Sequence, residues 1–371
     1  MSPTKERVVI AMSGGVDSSV SAALLVEQGY DVVGLMMRLW SEPGQFSTSR
    51  DNRCCTRDQM LDAHFVARKL GIPFEVVDAT DIFKQNVVDP FIDSYSRGLT
   101  PNPCLACNRH IRFTFLLEEA LNRGAAFLAT GHYAQVTQAP DGTYELHRGA
   151  DPAKDQSYVL SVLTQDQLKH AMFPVGGYTK PEVRKLAEGF GLPVASKGDS
   201  QDLCFVADGD YRRFLRAHDS EGSRPGEIKL RSGEVLGQHE GLPAYTIGQR
   251  KGLGISWREP LYVLEKDVRT NTLVVGPRSE MGGDRLHAVN VNWVAGRPPA
   301  EDIRAQVKIR YKSRFAPGTV TPLGADSVSI QFDDPLPDIT PGQGAVIYID
   351  DRVVGSGIIA DDDGISAPPA R

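Results

Sequence analysis

Residues Arg7–Val20 read RVVIAMSGGVDSSV, and this stretch decides the fold. Its first six residues form an apolar run that is typical of a buried strand in a parallel sheet. Serines and glycines follow, and a helical pattern then runs to Gly29. Glycines at such a junction let backbone N–H groups approach a phosphate, and the start of a helix favours the anion. The stretch therefore predicts a strand, a phosphate-binding loop and a helix.

The segments that follow alternate between strand and helix patterns. Three of them predict strands: DVVGLMMRLW (31–40), PFEVVDA (73–79) and AAFLATGHY (125–133). Two predict helices with recognisable caps: TRDQMLDAHFVARKLG (56–71) and TKPEVRKLAEGFG (179–191). This alternation predicts an α/β fold with a doubly wound parallel sheet, whose site lies at the carboxyl ends of the strands.

The chain changes character after about residue 212, where glycines and short strands begin to dominate. From about residue 284 the pattern is that of strands alone, for example Val328, Ile330 and Phe332 alternating with polar residues. Such short half-buried strands predict a small β-barrel. We therefore expect a catalytic domain over residues 1–212, a small β-rich domain over 213–283 and a barrel over 284–371.

Composition restricts the class of protein. The chain has 371 residues, a formal net charge of −6 and five cysteines. This charge argues against a uniformly basic protein, although a local basic stripe can still bind nucleic acid. No apolar run approaches the roughly 18 residues that span a membrane, and the N-terminus lacks a signal pattern. We expect a cytoplasmic monomer without a disulfide scaffold.

The loop Ala11–Ser19 is not a Walker loop, because it has no lysine at the required spacing. Ser13, Ser18 and Ser19 add hydroxyl donors, and Asp17 is a candidate ligand for Mg²⁺. A plain glycine turn is the alternative. The complete string S-G-G-x-D-S is similar to the PP-loop of the ATP pyrophosphatases. That resemblance implies cleavage of ATP to AMP and pyrophosphate with an adenylylated substrate.

Three cysteines are candidates for chemistry. Cys104 and Cys107 lie at the predicted start of a helix, a position that lowers a thiol pKa. Cys204 is a single cysteine far downstream in KGDSQDLCF. A zinc site would need four ligands and is incomplete here. Two roles for these cysteines remain as alternatives. One is a nucleophile paired with a sulfur carrier, and the other is a set of three thiolates that bind an iron–sulfur cluster. The adjacent pair Cys54 and Cys55 is expected to be structural.

The segment AQVKIRYKSRF (305–315) carries a basic pattern. If it is one strand, Lys308, Arg310 and Lys312 share a face, and three cations in a row can follow a phosphate backbone. A solvated edge strand is the alternative. Arg250 and Lys251 add charge on a glycine-rich loop, GQRKG.

Seven motifs occur in the order in which one known family has them. They are MSGGVDSSV (12–20), TPNPCLACN (100–108), ATGHYA (129–134), KDQSYVL (154–160), FPVG (173–176), DSQDLCF (199–205) and TIGQRKGLGI (246–255). The chain thereby resembles the bacterial tRNA-specific 2-thiouridylase family from Val8 to about Ile359. This resemblance implies that ATP adenylates the C2 oxygen of the wobble uridine, position 34, and that a cysteine persulfide delivers sulfur.

The resemblance also implies site residues. Cys204 matches the persulfide-bearing cysteine and Cys107 the nucleophile that frees its sulfur, which leaves a Cys107–Cys204 disulfide. The positions matching ATP-binding residues are Ala11, Met12, Ser13, Gly14, Gly15, Val16, Asp17, Ser18, Met37 and Gly131. Those matching the target-base segment are Asn102, Pro103 and Cys104. Those matching tRNA contacts are His132, Lys154, Asp155, Gln156, Arg310, Tyr311 and Gln343.

Cys104 departs from the family pattern, because well-known members have an aspartate at this position. The departure keeps open a 4Fe–4S cluster on Cys104, Cys107 and Cys204, although the persulfide route needs only the latter two. The implied partners are tRNAs for Lys, Glu and Gln and a sulfur donor such as a cysteine desulfurase or a relay protein. The rival hypotheses are another PP-loop ligase and a non-enzymatic metal–RNA binding protein.

Overall fold

The computed structural model describes residues 5–42, 56–198, 203–206, 208–218 and 223–361. Cys54 and Cys55, and the whole DSQD stretch before Leu203, lie outside the described residues. None of the described helices is both long and apolar enough to cross a membrane.

The strands of the described chain are numbered in chain order. They are β1 (Arg7–Ala11), β2 (Asp31–Arg38), β3 (Phe74–Asp78), β4 (Phe127–Ala129), β5 (Ala134–Gln138), β6 (Tyr144–Arg148), β7 (Ala171–Met172), β8 (Gly226–Leu230), β9 (Val235–His239), β10 (Tyr262–Asp267), β11 (Thr272–Gly276), β12 (Gly283–Trp293), β13 (Ile303–Lys308), β14 (Ala316–Pro322), β15 (Ser327–Leu336), β16 (Gly344–Ile349) and β17 (Arg352–Ile359).

The helices are numbered in the same way. They are α1 (Val16–Glu27), α2 (Arg57–Leu70), α3 (Thr80–Phe83), α4 (Asp89–Ser96), α5 (Pro103–Ala106), α6 (Leu116–Asn122), α7 (Ser157–Leu160), α8 (Gln165–Lys169), α9 (Lys180–Gly189) and α10 (Tyr211–His218). Wide π-helical turns at Lys84–Val88 and Cys107–Phe115 join α3 to α4 and α5 to α6. Single 3₁₀ turns occur at Leu242–Ala244 and Arg278–Glu280.

The N-terminal sheet is parallel and has the strand order β3-β2-β1-β4-β7. Its central strand β1 is buried from Val8 to Ala11, as the apolar run predicts. Helix α2 begins with a capping box between Thr56 and Gln59 and ends at Gly71, whose φ is +68°. Both predicted ends of this helix are therefore confirmed, as is the doubly wound α/β class.

The middle of the chain forms a small four-stranded sheet in the order β10-β11-β8-β9. The end of the chain forms a closed barrel, because β12 pairs with β15 on one side and with β17 on the other. Six strands complete the closure: β12, β15, β14, β13, β16 and β17. Val328, Ile330 and Phe332 point into the barrel core, as their alternation predicts.

Two strand predictions in the barrel are wrong in detail, and the first of them concerns β12. The alternation of Val289, Val291 and Trp293 predicts one buried face, but β12 has a bulge between Val289 and Asn292. Asn290 has a φ of +52° there, and the buried face before the bulge is Leu286 and Ala288. The bulge shifts the side-chain register by one face, because strand side chains alternate with a period of two.

The predicted basic stripe is also wrong, because β13 ends at Lys308 and a turn follows. Arg310 points inward, where its guanidinium donates to the carbonyls of Ile247 and Asp338 at 3.0 and 3.2 Å. Lys308 lies 5.3 Å from the ring centre of Phe315. Three cations therefore do not share a strand face, although Arg250 and Lys251 are exposed on their loop as expected.

The hairpin β5–β6 crosses from the N-terminal half to the barrel. Strand β6 pairs with β17 through Leu146 with Val353 and His147 with Arg352. The barrel sheet thus extends to eight strands and contacts the first domain directly.

Candidate active site

The phosphate loop lies between β1 and α1 and is held by its own hydroxyl groups. Ser18 Oγ lies 3.2 Å from Ser13 Oγ, accepts from Ser13 N and donates to the Gly15 carbonyl. Gly14 has a φ of +70°, and a Cβ there would lie 2.2 Å from the carbonyl oxygen of Gln59. A Cβ on Gly131 would lie 2.6 Å from Ser18 N. The loop is therefore packed so closely that glycine is required at both positions.

Two lysines that the sequence patterns do not identify contact this loop. Lys180 at the start of α9 is 8% exposed, and its Nζ donates to both oxygens of Asp17 at 2.8 and 2.9 Å. Lys197 Nζ donates to the Gly14 carbonyl at 2.9 Å and to Asp62 at 2.6 Å. Their positions depend on long-range packing, so no local motif marks them. Each ammonium group is thus paired with a carboxylate, Lys180 with Asp17 and Lys197 with Asp62, and the two ion pairs hold the loop in place.

The fit of Mg²⁺ to Asp17 is poor. Besides the two Lys180 hydrogen bonds, Asp17 Oδ1 accepts from the Tyr133 hydroxyl at 2.7 Å. A carboxylate already neutralised by an ammonium group attracts a metal ion weakly. The prediction that Asp17 holds Mg²⁺ therefore does not fit this arrangement.

The three candidate cysteines differ in exposure. Cys104 is exposed, Cys204 is half-buried and Cys107 is 8% exposed. Cys107 belongs to the core cluster that also contains Ala11 and Met37 from the carboxyl ends of β1 and β2, and Cys204 packs against the same cluster. Both cysteines therefore pack against one large core cluster, which extends from the loop end of the sheet to Tyr348 in the barrel.

A metal centre does not fit these cysteines. Within the ranges that the structure describes, no three His, Cys, Asp or Glu side chains are grouped as metal ligands. Cys104, Cys107 and Cys204 are all described, so they do not form a three-thiolate set here. The alternative with a 4Fe–4S cluster, like a zinc site, is therefore not supported by the geometry.

The helix that carries Cys104 and Cys107 begins at Pro103, earlier than the sequence indicates. Asn102 caps it, because its side-chain oxygen accepts from Cys104 N at 3.1 Å. Both cysteines therefore lie in the first two turns, where helix starts favour a thiolate.

The segment before this helix is docked on the barrel. Gln343 Nε2 donates to the Thr100 carbonyl at 2.9 Å, and Thr100 N donates to the Pro341 carbonyl at 2.9 Å. The Tyr158 hydroxyl donates to the Gly344 carbonyl at 2.9 Å and also hydrogen-bonds Asn102. The turn before β16 therefore fixes where the target-base segment begins.

The predicted tRNA contacts are placed in different environments. Asp155 is 7% exposed and accepts from Gly149 N, Ser157 N and Ser157 Oγ, so it organises its own turn. Gln156 accepts from Tyr133 N at 3.0 Å, and Lys154 is half-buried. Tyr311 is half-buried near Cys104: burial, Asp155 and Cys104 together raise its pKa. Of these residues, Tyr311 is the one brought beside the cysteine helix.

His132 is buried, and this placement does not fit a direct contact with tRNA. Its side chain is 8% exposed, and its Nδ1 lies 2.7 Å from Thr130 Oγ1. Burial, and then the charge of Arg112, lower the pKa of His132 to about 3. The imidazole is therefore neutral at physiological pH.

The low pKa of His132 predicts an acid-sensitive fold. An unfolded histidine titrates near pH 6.5, so the unfolded state binds more protons below that pH and stability falls as the pH drops towards 3. Between pH 7 and pH 5 this group should cost about 2 kcal/mol. Urea unfolding of the wild type and of His132→Asn at pH 7 and at pH 5 measures this loss of the free energy of unfolding. Equal losses in the two proteins would contradict the assignment.

The fold and the loop define the class of the protein. A parallel sheet with an SGGVDS loop after its first strand, followed by two β modules, is an α/β protein of the PP-loop class. Three family models match consecutive parts of the chain. They are the tRNA methyl transferase HUP domain at residues 6–208, the tRNA methyl transferase PRC-barrel domain at 212–277 and the Aminomethyltransferase beta-barrel domain at 283–359.

Full-length relatives identify the family. The tRNA-specific 2-thiouridylase MnmA of Geobacter metallireducens is 48% identical over 96% of this chain and 97% of that protein. The tRNA-specific 2-thiouridylase MnmA 1 of Thermoanaerobacter sp. is 47% identical over 95% of this chain and 97% of that protein. MnmA of Pelotomaculum thermopropionicum is 46% identical over 96% and 97%. The chain belongs to the tRNA-specific 2-thiouridylase family.

Proposed function

We propose that this protein is a tRNA 2-thiouridylase, a sulfurtransferase that consumes ATP. Its substrate is the wobble uridine, position 34, of tRNAs for Lys, Glu and Gln. The observation that carries the proposal is the packing of Cys107 and Cys204 against the cluster that contains Ala11 and Met37. Relatives named for this activity match almost the whole chain, which supports the same conclusion.

The first step is adenylation. ATP binds at Ala11–Ser18, with Met37 and Gly131 beside it, and the ion pairs of Lys180 and Lys197 hold this loop in shape. The C2 oxygen of the uridine attacks the α-phosphorus, and the bond to pyrophosphate breaks. The adenylylated C2 oxygen is now a good leaving group, so a nucleophile that attacks C2 can displace it as part of AMP.

The second step transfers sulfur. A donor such as a cysteine desulfurase, or a relay protein, leaves a persulfide on Cys204. Its terminal sulfur attacks C2, and AMP departs with the oxygen. The Cys107 thiolate then attacks the Cys204 sulfur, so a Cys107–Cys204 disulfide forms and the transferred sulfur stays on C2. A dithiol reductant restores both thiols for the next turnover.

The remaining roles follow the same proposal. Asn102, Pro103 and Cys104 meet the target base, and Lys154, Gln156 and Tyr311 lie along the path of the tRNA. Arg310 holds the turn beside Tyr311 instead of contacting the RNA, because its guanidinium donates to the Ile247 and Asp338 carbonyls. Residues 1–212 form the catalytic domain, 213–283 the small β-rich domain and 284–371 the barrel that receives RNA. We expect a monomer that acts in the cytoplasm.

Gln343 is expected to act as a positioning residue rather than as a direct tRNA contact. Gln343→Ala removes the hydrogen bond to Thr100 that docks the target-base segment, and a small misplacement of that segment slows the chemical step. We expect kcat for thiolation to fall about tenfold or more, with the Kd for tRNA within twofold of the wild type.

The matched control is Gln331→Ala, which removes a comparable hydrogen bond to Asp284 elsewhere in the barrel. Single-turnover rates and filter binding of tRNA measure both quantities. A raised Kd with an unchanged kcat would instead make Gln343 a tRNA contact.

The function is tested by an anaerobic reaction that contains unmodified tRNA, a persulfide donor and ATP with magnesium as the counter-ion of ATP. Nucleoside mass spectrometry should detect 2-thiouridine, and one AMP and one pyrophosphate should form for each. ATP cleavage without a thionucleoside would favour another PP-loop ligase. RNA binding without ATP cleavage would favour a non-enzymatic RNA-binding protein.

A further inference from the structure

A cavity of about 420 Å³ lies beside the start of the cysteine helix, and Asn102 and Pro103 of the target-base segment line part of it. Pro103, Ala106, Arg109 and His110 line it from this helix, whereas Cys104 and Cys107 do not. The segment 85–94 forms a second wall, and residues 356–358 of β17 form a third. A volume of this size suits a ligand as large as a nucleotide.

Arg109 gives the cavity a positive charge at one end. Arg109 is half-buried, and its guanidinium has no hydrogen bond or ion pair with any residue in the described part of the chain. Burial lowers the pKa of Arg109, and burial together with the Arg109 charge lowers the pKa of His110. Holding a cation in such a place costs free energy unless an anion joins it.

The rest of the lining has the character of a base-binding surface. Val87, Phe91 and Leu105 provide apolar walls against which a base can pack. The side-chain amides of Asn86 and Asn290 offer donors and acceptors at the edge. The bulge in β12 that gives Asn290 its positive φ brings this residue to the cavity.

We infer that this cavity holds one nucleotide of the RNA substrate next to the target uridine, with the base against the apolar walls and its phosphate on Arg109. The inference rests on the proposed function. A helix rises about 1.5 Å per residue, so Cys104 and Arg109 are about 7 Å apart along the axis. Neighbouring nucleotides of a splayed single strand span such a distance.

The test uses Arg109→Met in the full-length protein. Its tRNA affinity should fall about tenfold at 0.1 M salt, because one phosphate contact is lost. The slope of log K against log salt concentration should decrease by about 0.7 to 1. The KM for ATP should stay within twofold, because Arg109 does not contact the phosphate loop. Arg109→Lys keeps the charge and should restore the slope.

Two further variants separate charge from shape. Arg258→Met removes an exposed cation of the central domain and should change neither affinity nor slope. Ala106→Leu reduces the cavity volume but keeps Arg109, so it should weaken tRNA binding without changing the slope. Melting temperatures confirm that each variant is folded.

Three results would overturn the inference. One is an Arg109→Met protein whose affinity and salt slope equal those of the wild type. Another is a variant that loses binding of free ATP or UMP while tRNA binding is intact, since the cavity would then hold a free nucleotide. The third is an unchanged affinity in Ala106→Leu. A wild type that binds tRNA through Arg109 but forms no 2-thiouridine would refute the proposed function and leave the nucleotide site standing.

Discussion

Cys204→Ser is expected to form no 2-thiouridine, with a loss of at least about a thousandfold, while it still releases pyrophosphate from ATP in the presence of tRNA. Serine cannot carry the persulfide, so the activated uridine finds no sulfur. Adenylation depends instead on the SGGVDS loop, which is held by hydrogen bonds among its own residues Ser13, Gly15 and Ser18. Product analysis by mass spectrometry and a pyrophosphate assay on one sample measure both effects.

The reaction of Cys107→Ala should stop at a later step than the reaction of Cys204→Ser. The persulfide sulfur still attacks C2, but no thiolate cleaves the bond to Cys204. We therefore expect a covalent protein–tRNA adduct through a C2–S–S–Cys204 linkage, which dithiothreitol releases as 2-thiouridine. Cys204→Ser should give no adduct.

Cys104→Ala is the matched control, because it removes an exposed thiol from the same helix. It should retain activity within about threefold if the persulfide route needs only Cys107 and Cys204. Equal loss in all three variants would contradict this route.

Gly14→Ala is expected to lower kcat/KM for ATP at least a hundredfold. The new Cβ would lie 2.2 Å from Gln59 O and 2.9 Å from Gln59 Cα, and these backbone atoms cannot move without shifting the start of α2. The loop must move instead, which removes its N–H groups from the phosphates. The positive φ adds about 1 to 2 kcal/mol of strain.

Gly29→Ala separates strain from collision. Gly29 has a φ of +89°, but a Cβ at this position would meet no atom of the described chain within 4 Å apart from its own chain neighbours. This variant should be destabilised to a similar degree and keep its activity. Pyrophosphate release as a function of ATP concentration measures the activity, and the melting temperature measures the stability. If Gly14→Ala binds ATP as well as Gly29→Ala does, the loop is not the phosphate site.

Local sequence was sufficient for the elements whose signals are local. The apolar run of β1, the capping box at Thr56 and the alternation in β15 each predict what the structure has, because sterics, caps and side-chain alternation act over a few residues. The order of strand, glycine loop and helix likewise predicts the loop that the structure has between β1 and α1.

Features that depend on distant contacts could not be predicted in this way. Lys180 reaches Asp17 across the domain, and Arg310 turns inward to the Ile247 carbonyl instead of lining a basic stripe. The hairpin β5–β6 joins the barrel through Leu146 and Val353. Each of these arrangements depends on tertiary packing, which overrides the periodicity of the segment itself.

The central claim is that sulfur passes from Cys204 to an ATP-activated uridine. The most direct measurement is one anaerobic turnover with excess protein that carries ³⁵S-labelled persulfide on Cys204, with unmodified tRNA and ATP. We expect the label in 2-thiouridine at position 34, with one AMP for each labelled nucleoside and a Cys107–Cys204 disulfide in the protein. AMP formation with the label still on the protein would contradict it.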